Sequence, residues 1–151
     1  MNTKTQAPNL NQRPPRSARV RLGGFAMLPR VLDKARATLG GQAGEYKFGN
    51  PMDQHFFRFT GISQDALLEQ IRTGAGDWEI LNWIQEHSSP VRAPHEIRSW
   101  SAYLETAPLG DAEDIEWFAE QAKRLNPDRT DLSSIIDYLD VDDHVSFGGA
   151  A

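Results

Sequence analysis

What most constrains this chain is its punctuation. Glycine or proline recurs at Gly23-Gly24, Pro29, Gly40-Gly41, Gly49-Asn50-Pro51, Gly61, Gly74, Gly76, Pro94 and Asn126-Pro127. Glycine frees the backbone for positive φ, and proline removes an amide donor, so these positions start or end helices. The segments between them are short. None supports a helix of more than about four turns, which excludes a long four-helix bundle.

Within the segments, apolar residues recur at helical spacing. Pro29 suits a first turn, and Leu28, Val31, Leu32, Ala35 and Leu39 fall on one face of a helix that Gly40 ends. Pro51 opens a second helix carrying Phe56, Phe57 and Phe59. Ser63 caps a third to about Arg72, and Asp77 caps a fourth to about His87. Pro94 starts a fifth, to about Thr106. Asp111 caps a sixth, to about Asn126, with Ile115, Phe118, Ala119, Ala122 and Leu125 inward. Its acids Glu113 and Asp114 and its bases Lys123 and Arg124 sit at the ends the helix dipole prefers. A last helix is expected over about Asp131–Leu139. Beyond it periodicity is lost, and Val145 and Phe147 alternate as in a short strand. Glu45-Tyr46-Lys47-Phe48 alternates polar and aromatic, which predicts a small extended piece.

The expected fold is all-α: a single compact, irregular bundle of about six or seven short helices, with a small extended piece near residues 45–48. Residues 1–17 hold three prolines and little that is apolar, and are expected to form a flexible N-terminal arm. Residues 18–151 are expected to form one helical domain. A chain of 151 residues buries a sizeable core without covalent staples. It has no cysteine, which rules out disulfides, thiolate metal sites and cysteine nucleophiles. Missing disulfides point to a reducing compartment, so a cytoplasmic location is expected. No apolar run approaches the roughly 20 residues a membrane span needs, and no secretory leader pattern is visible.

Charge is segregated. Residues 1–58 carry ten lysines or arginines against three acids, a balance of +7, whereas residues 59–151 carry six against eighteen, a balance of −12. The two parts can neutralise each other, or the basic part can receive an anion. The acidic remainder argues against a nucleic-acid partner.

Phosphate-loop, dinucleotide, HExxH and GxSxG patterns are all absent. No cofactor is identified. Asp140, Asp142 and His144 have the spacing of calcium-loop ligands, but Val145 and Ala151 stand where that loop needs glycine and glutamate, so no calcium site is expected and no metal ligand is assigned, a divalent metal with His144 as nitrogen ligand being the alternative for this run. Arg30 and Lys34 are like charges one helical turn apart, a pairing that costs a little unless an anion or a carboxylate meets it. They, with Asp33 and Arg36, are the candidate ligand-binding residues. Asp33 can alternatively pair with Arg30 or Arg36 at three-residue spacing. Asp143 and His144, crowded among carboxylates, are candidate proton-transfer groups, or an acidic face that pairs with the basic helix. Tyr46 and Asp53 flank the Gly-Asn-Pro turn, where functional side chains are often held. Asp53 is equally placed to serve as a first-turn helix carboxylate.

The runs RLGGFAMLPRVLDKARA, GEYKFGNPMDQ and LDVDDHVSFGG together resemble a bacterial family known only as a domain of unknown function, family 5069. The resemblance spans about residues 16–149 and implies a small single-domain protein. It carries no activity, substrate or cofactor onto any residue. The function expected from the residues is a small enzyme or binding protein for a small anionic metabolite, built on the basic first helix. The alternative is a non-enzymatic interaction or regulatory module, contacting either a second copy of itself in a homodimer or another partner.

Overall fold

The computed structural model describes residues 5–106 and 112–151. Over those residues the chain is all-α, with seven helices and one two-stranded hairpin. The hairpin pairs β1 (Arg21–Leu22) with β2 (Phe25–Ala26). The helices are α1 (Leu28–Leu39), α2 (Pro51–Thr60), α3 (Gln64–Arg72), α4 (Asp77–His87), α5 (Pro94–Thr106), α6 (Ala112–Leu125) and α7 (Ile135–Ser146).

The hairpin exists because Gly23 and Gly24 adopt φ of 58° and 84°. Two successive positive φ values make the tight turn whose twist suits antiparallel strands. Arg21 then pairs with Ala26, and Leu22 with Phe25. The extended piece expected at residues 45–48 is not a strand. Gly44 and Gly49, at φ 59° and 83°, bend the chain on either side of it, and among the described residues no strand pairs with it.

The last helix differs most from expectation. It starts at Ile135, where the Ser134 hydroxyl accepts from the Asp137 amide, and runs on to Ser146. The apolar stripe of Ile135, Ile136 and Leu139 continues at Asp143, a buried carboxylate. A charge in a core position hid the helical period. At α4 the N-cap is Gly76, not Asp77, whose carboxylate instead meets Arg16 and Arg36. In α6, Phe118 and Leu125 pack inward, but Ile115 is 51% exposed. The Asp111 cap and the side chains of Glu113 and Asp114 lie outside the described residues.

One core joins α1 to α5 around Phe25, Leu28, Leu32, Phe56, Leu67 and Ile84. Trp100 stacks on Phe59 at 4.7 Å and also borders a second cluster. That cluster, around Met27, Leu104 and Ile136, brings α7 against the start of α1. Within the hairpin–α5 junction, Ser101 Oγ accepts from the Ala26 amide and donates to the Gly24 carbonyl.

Residues 5–17, read above as a flexible arm, lie along the domain as a strap. The Thr5 amide donates to the Gly74 carbonyl, and the Leu10 amide to the Gln42 carbonyl, both at 2.9 Å. Leu10 is only 1% exposed. Leu10 and Arg16 tie down a segment whose composition alone looks unable to pack.

Charge segregation resolves into ion pairs across the chain. Arg16 meets Asp33 and Asp77, Arg19 meets Asp137 and Asp140, Arg21 meets Glu105, and Arg30 meets Asp143. Asp33 therefore pairs with the strap and not with Arg30 or Arg36. Its side chain leaves the helix surface towards Arg16, whose amide and guanidinium both donate to it.

Candidate functional site

Helix α1 has two polar edges, and each opens onto a cleft. The larger, about 850 Å³, is lined by α1 at Arg30 and Lys34, by the 44–53 segment, and by α7. This size lies within the range of small-molecule sites.

Arg30 is 4% exposed. Its Nη1 donates to Asp143 Oδ2 at 2.8 Å, and its Nη2 to Asp143 Oδ1 at 3.3 Å. The Tyr46 hydroxyl donates to the same Oδ1 at 2.7 Å, and the Arg30 guanidinium sits 5.6 Å from the Tyr46 ring centroid. Asp143 is thus an acceptor with both oxygens engaged, sharing one network with a cation and a phenol. Burial, then the bond to Asp143, pushes the Tyr46 pKa up, so the phenol keeps its proton.

Lys34 is 2% exposed, and its ammonium meets Asp53 at 2.7 Å and the Lys47 carbonyl at 3.2 Å. Burial lowers its pKa, with Asp53 working against the shift. Asp53 also accepts from the Gly49 amide, while its own amide donates to Asn50 Oδ1, the N-cap of α2. Glycine is favoured at position 49 because its φ of 83° is a backbone conformation that residues with a Cβ rarely adopt. The Gly-Asn-Pro turn therefore does two jobs, starting α2 and fixing the partner of Lys34.

The wall from α7 presents Leu139, Asp142 and Ser146, which share one helical face at steps of three and four residues. Asp142 is half-buried, and no hydrogen-bond partner meets its carboxylate among the described residues. Burial raises its pKa, helped by Asp143 and Glu45 and opposed by Arg30. Near the entrance the exposed Glu45 and Lys47 supply one charge of each sign. Met27, the residue before α1, also lines the cleft and holds φ of 68°. Such a backbone in a non-glycine residue is uncommon and concentrates at functional sites.

Of the residues singled out from sequence, Arg30, Lys34, Tyr46 and Asp53 line this cleft, and Asp143 lies directly behind Arg30 and Tyr46. Asp33 and Arg36 face the other edge of α1, in a second cleft. His144 is exposed on α7, with its ring against Gly149. Asp142, read from sequence within the acidic Asp140–His144 run, lines it too, while Glu45, Lys47 and Asn50 are additions. The place of Asp142 on the cleft-facing side follows only once residues 139–146 are read as helix. Among the described residues, no group of three or more histidine, aspartate or glutamate side chains is arranged to hold a metal, and no helix is long and apolar enough to cross a membrane.

A comparison with curated proteins finds no match. The sequence does match the family described as Domain of unknown function (DUF5069), over residues 12–145. That span takes in the strap from Gln12, both edges of α1, the Gly-Asn-Pro turn and α7 through Val145, so the chain belongs to the DUF5069 family.

Proposed function

We propose that the chain is a small enzyme or binding protein for a small metabolite with an anionic group, taken into the cleft beside Arg30 and Lys34. The observation that carries this reading is convergence. Residues 30–34, 45–53 and 139–147 are remote in sequence, yet they line one cleft of metabolite size. Structural ion pairing alone requires no cavity beside the pairs.

Because Lys34 and most of Arg30 are already compensated by Asp53 and Asp143, the anion is assigned to the Lys47 ammonium and the unbonded Nε edge of Arg30. The cleft's charges nearly cancel, so the ligand also carries hydroxyl or amine donors for Glu45 and Asp142. Proton transfer, if it occurs here, falls to Asp142. A carboxyl group with a raised pKa and a free edge in a cleft is suited to that work.

The test is a thermal-shift screen of small carboxylates and phosphate esters on wild type and on Lys47→Ala and Asp142→Asn. A true ligand at 100 times its Kd stabilises by roughly 2.7 kcal/mol. Stabilisation that is weakened by both substitutions supports the reading. No stabilising compound, or one indifferent to both substitutions, sinks it.

The second reading, an interaction module, draws on Trp78 and Tyr103, which are 68% and 59% exposed. Sedimentation that stays monomeric at high concentration removes its homodimeric form.

A further inference from the structure

The opposite edge of α1 faces a second cleft, of about 460 Å³, beneath the strap. Three guanidiniums, from Arg13, Arg16 and Arg36, line it together with two carboxylates, from Asp33 and Asp77. Both carboxylates are engaged. Arg16 Nε and Nη2 donate to Asp33, while Arg16 Nη1 and Arg36 Nη1 both reach Asp77 at 2.7 Å. These contacts pull the Asp77 pKa down against the effect of burial, so the carboxylate stays ionised.

Two donors remain. Arg36 is 6% exposed, and its Nη2 donates to the Ala75 carbonyl at 3.1 Å, but its Nε–H is buried with no acceptor. Among the described residues it is the buried side-chain polar atom left in that state. Arg13, exposed at the rim, pairs with no carboxylate among the described residues. A buried donor without an acceptor is costly and asks for a missing partner.

We infer that this second cleft is a binding site for a small oxyanion, a carboxylate or a phosphate, held between Arg13 and the Nε edge of Arg36. The larger cleft has nearly balanced charge, whereas this one keeps a net positive charge after its internal pairs are counted. Guanidinium edges suit planar carboxylates and phosphate oxygens alike. The site is separate from the cleft beside Arg30 and does not depend on the function proposed for it.

The experiment follows the arginine Nε–Hε resonances of the full chain as inorganic phosphate is added, with sodium chloride at matched ionic strength as reference. A second arm replaces phosphate by succinate, and the anion that saturates at lower concentration identifies the chemistry. Arg36→Lys assigns the Arg36 signal. The expected result is a saturable downfield shift of that signal, weakened about tenfold in Arg13→Gln, which loses one charge-assisted contact. Lys47→Ala, in the other cleft, leaves it unchanged. If Arg36→Lys does not fold, the shifting resonance is assigned by through-bond correlation, and the Arg13→Gln comparison stands. A signal unmoved by either anion up to about 10 mM, beyond the roughly 1 mM range of most metabolite sites, overturns the inference. So does an equal, unsaturating shift in wild type and Arg13→Gln, which means that water alone satisfies Arg36.

Discussion

Arg30 Nη1 lies 2.8 Å from Asp143 Oδ2, joining side chains 113 positions apart with almost no access to solvent. The pair locks α7 onto α1 and forms the back wall of the larger cleft. Removing one partner strands a buried charge. Asp143→Asn or Arg30→Ala is therefore expected to cost about 3–5 kcal/mol, read as a drop in urea midpoint. The double variant Arg30→Met/Asp143→Leu replaces the pair by apolar volume and is expected to recover most of that loss. If the cleft is the reason a buried pair is kept, the double variant folds but no longer responds to the ligand of wild type.

Asp142, one residue away, has the opposite relation to its surroundings. Burial and the neighbouring carboxylates raise its pKa above the ordinary 3.8. The folded state then holds a proton that the unfolded state has already released. Stability is fully present below pH 3.8 and falls as pH rises through the folded value. Asp142→Asn lacks this loss. It is expected to be more stable than wild type at pH 7, with a Tm higher by roughly 1–2 °C, and the difference is expected to close towards pH 4. Calorimetry across pH 4–8 checks it. Equal pH profiles for the two proteins would place Asp142 in ordinary solvent.

Much of this fold was legible because its boundaries are chemical. Ser63, Pro51, Gly61 and Pro94 mark helix ends through caps and missing donors, and the structure keeps those ends within a residue or so. The failures share a different cause. The second half of α7, beyond Leu139, is not legible because Asp143 stands where the period requires an apolar residue, and only the distant Arg30 makes that tolerable. The strap was lost because Leu10 and Arg16 take their meaning from Gln42, Asp33 and Asp77, none of them near in sequence. For the same reason, sequence could nominate Arg30, Lys34, Tyr46 and Asp53 one by one but could not show that each edge of α1 opens onto its own cleft. Positions 30 and 34 face one cleft, and positions 33 and 36 the other.

The strap has a direct test. A flexible arm can lose its one buried leucine at little cost, whereas a packed leucine cannot. Leu10→Ala is expected to destabilise the chain by about 2–4 kcal/mol. The measurement is equilibrium denaturation, with hydrogen exchange at the Leu10 amide as a local readout. A change below about 0.5 kcal/mol, the usual range for exposed sites, would return these residues to an arm.

Asp77 holds the strap and α1 together through Arg16 and Arg36, and its titration carries a sign opposite to that of Asp142. Its folded pKa lies below 3.8 because the two guanidinium bonds outweigh burial. The stability it contributes is present above pH 3.8 and is lost as pH falls through the folded value. Asp77→Asn keeps the size of the side chain but discards the charge, leaving the buried Arg36 guanidinium with the Ala75 carbonyl as its remaining acceptor. The expected cost at pH 7 is about 2–4 kcal/mol, somewhat below a fully buried pair because Asp77 is partly exposed. In acid the wild type loses the same charge, so the gap between the two proteins narrows below pH 3.8. Urea unfolding at pH 7 and near pH 3 reads both limbs. A gap that stays constant across that interval would mean that packing, and not charge, makes Asp77 the junction between strap and helix.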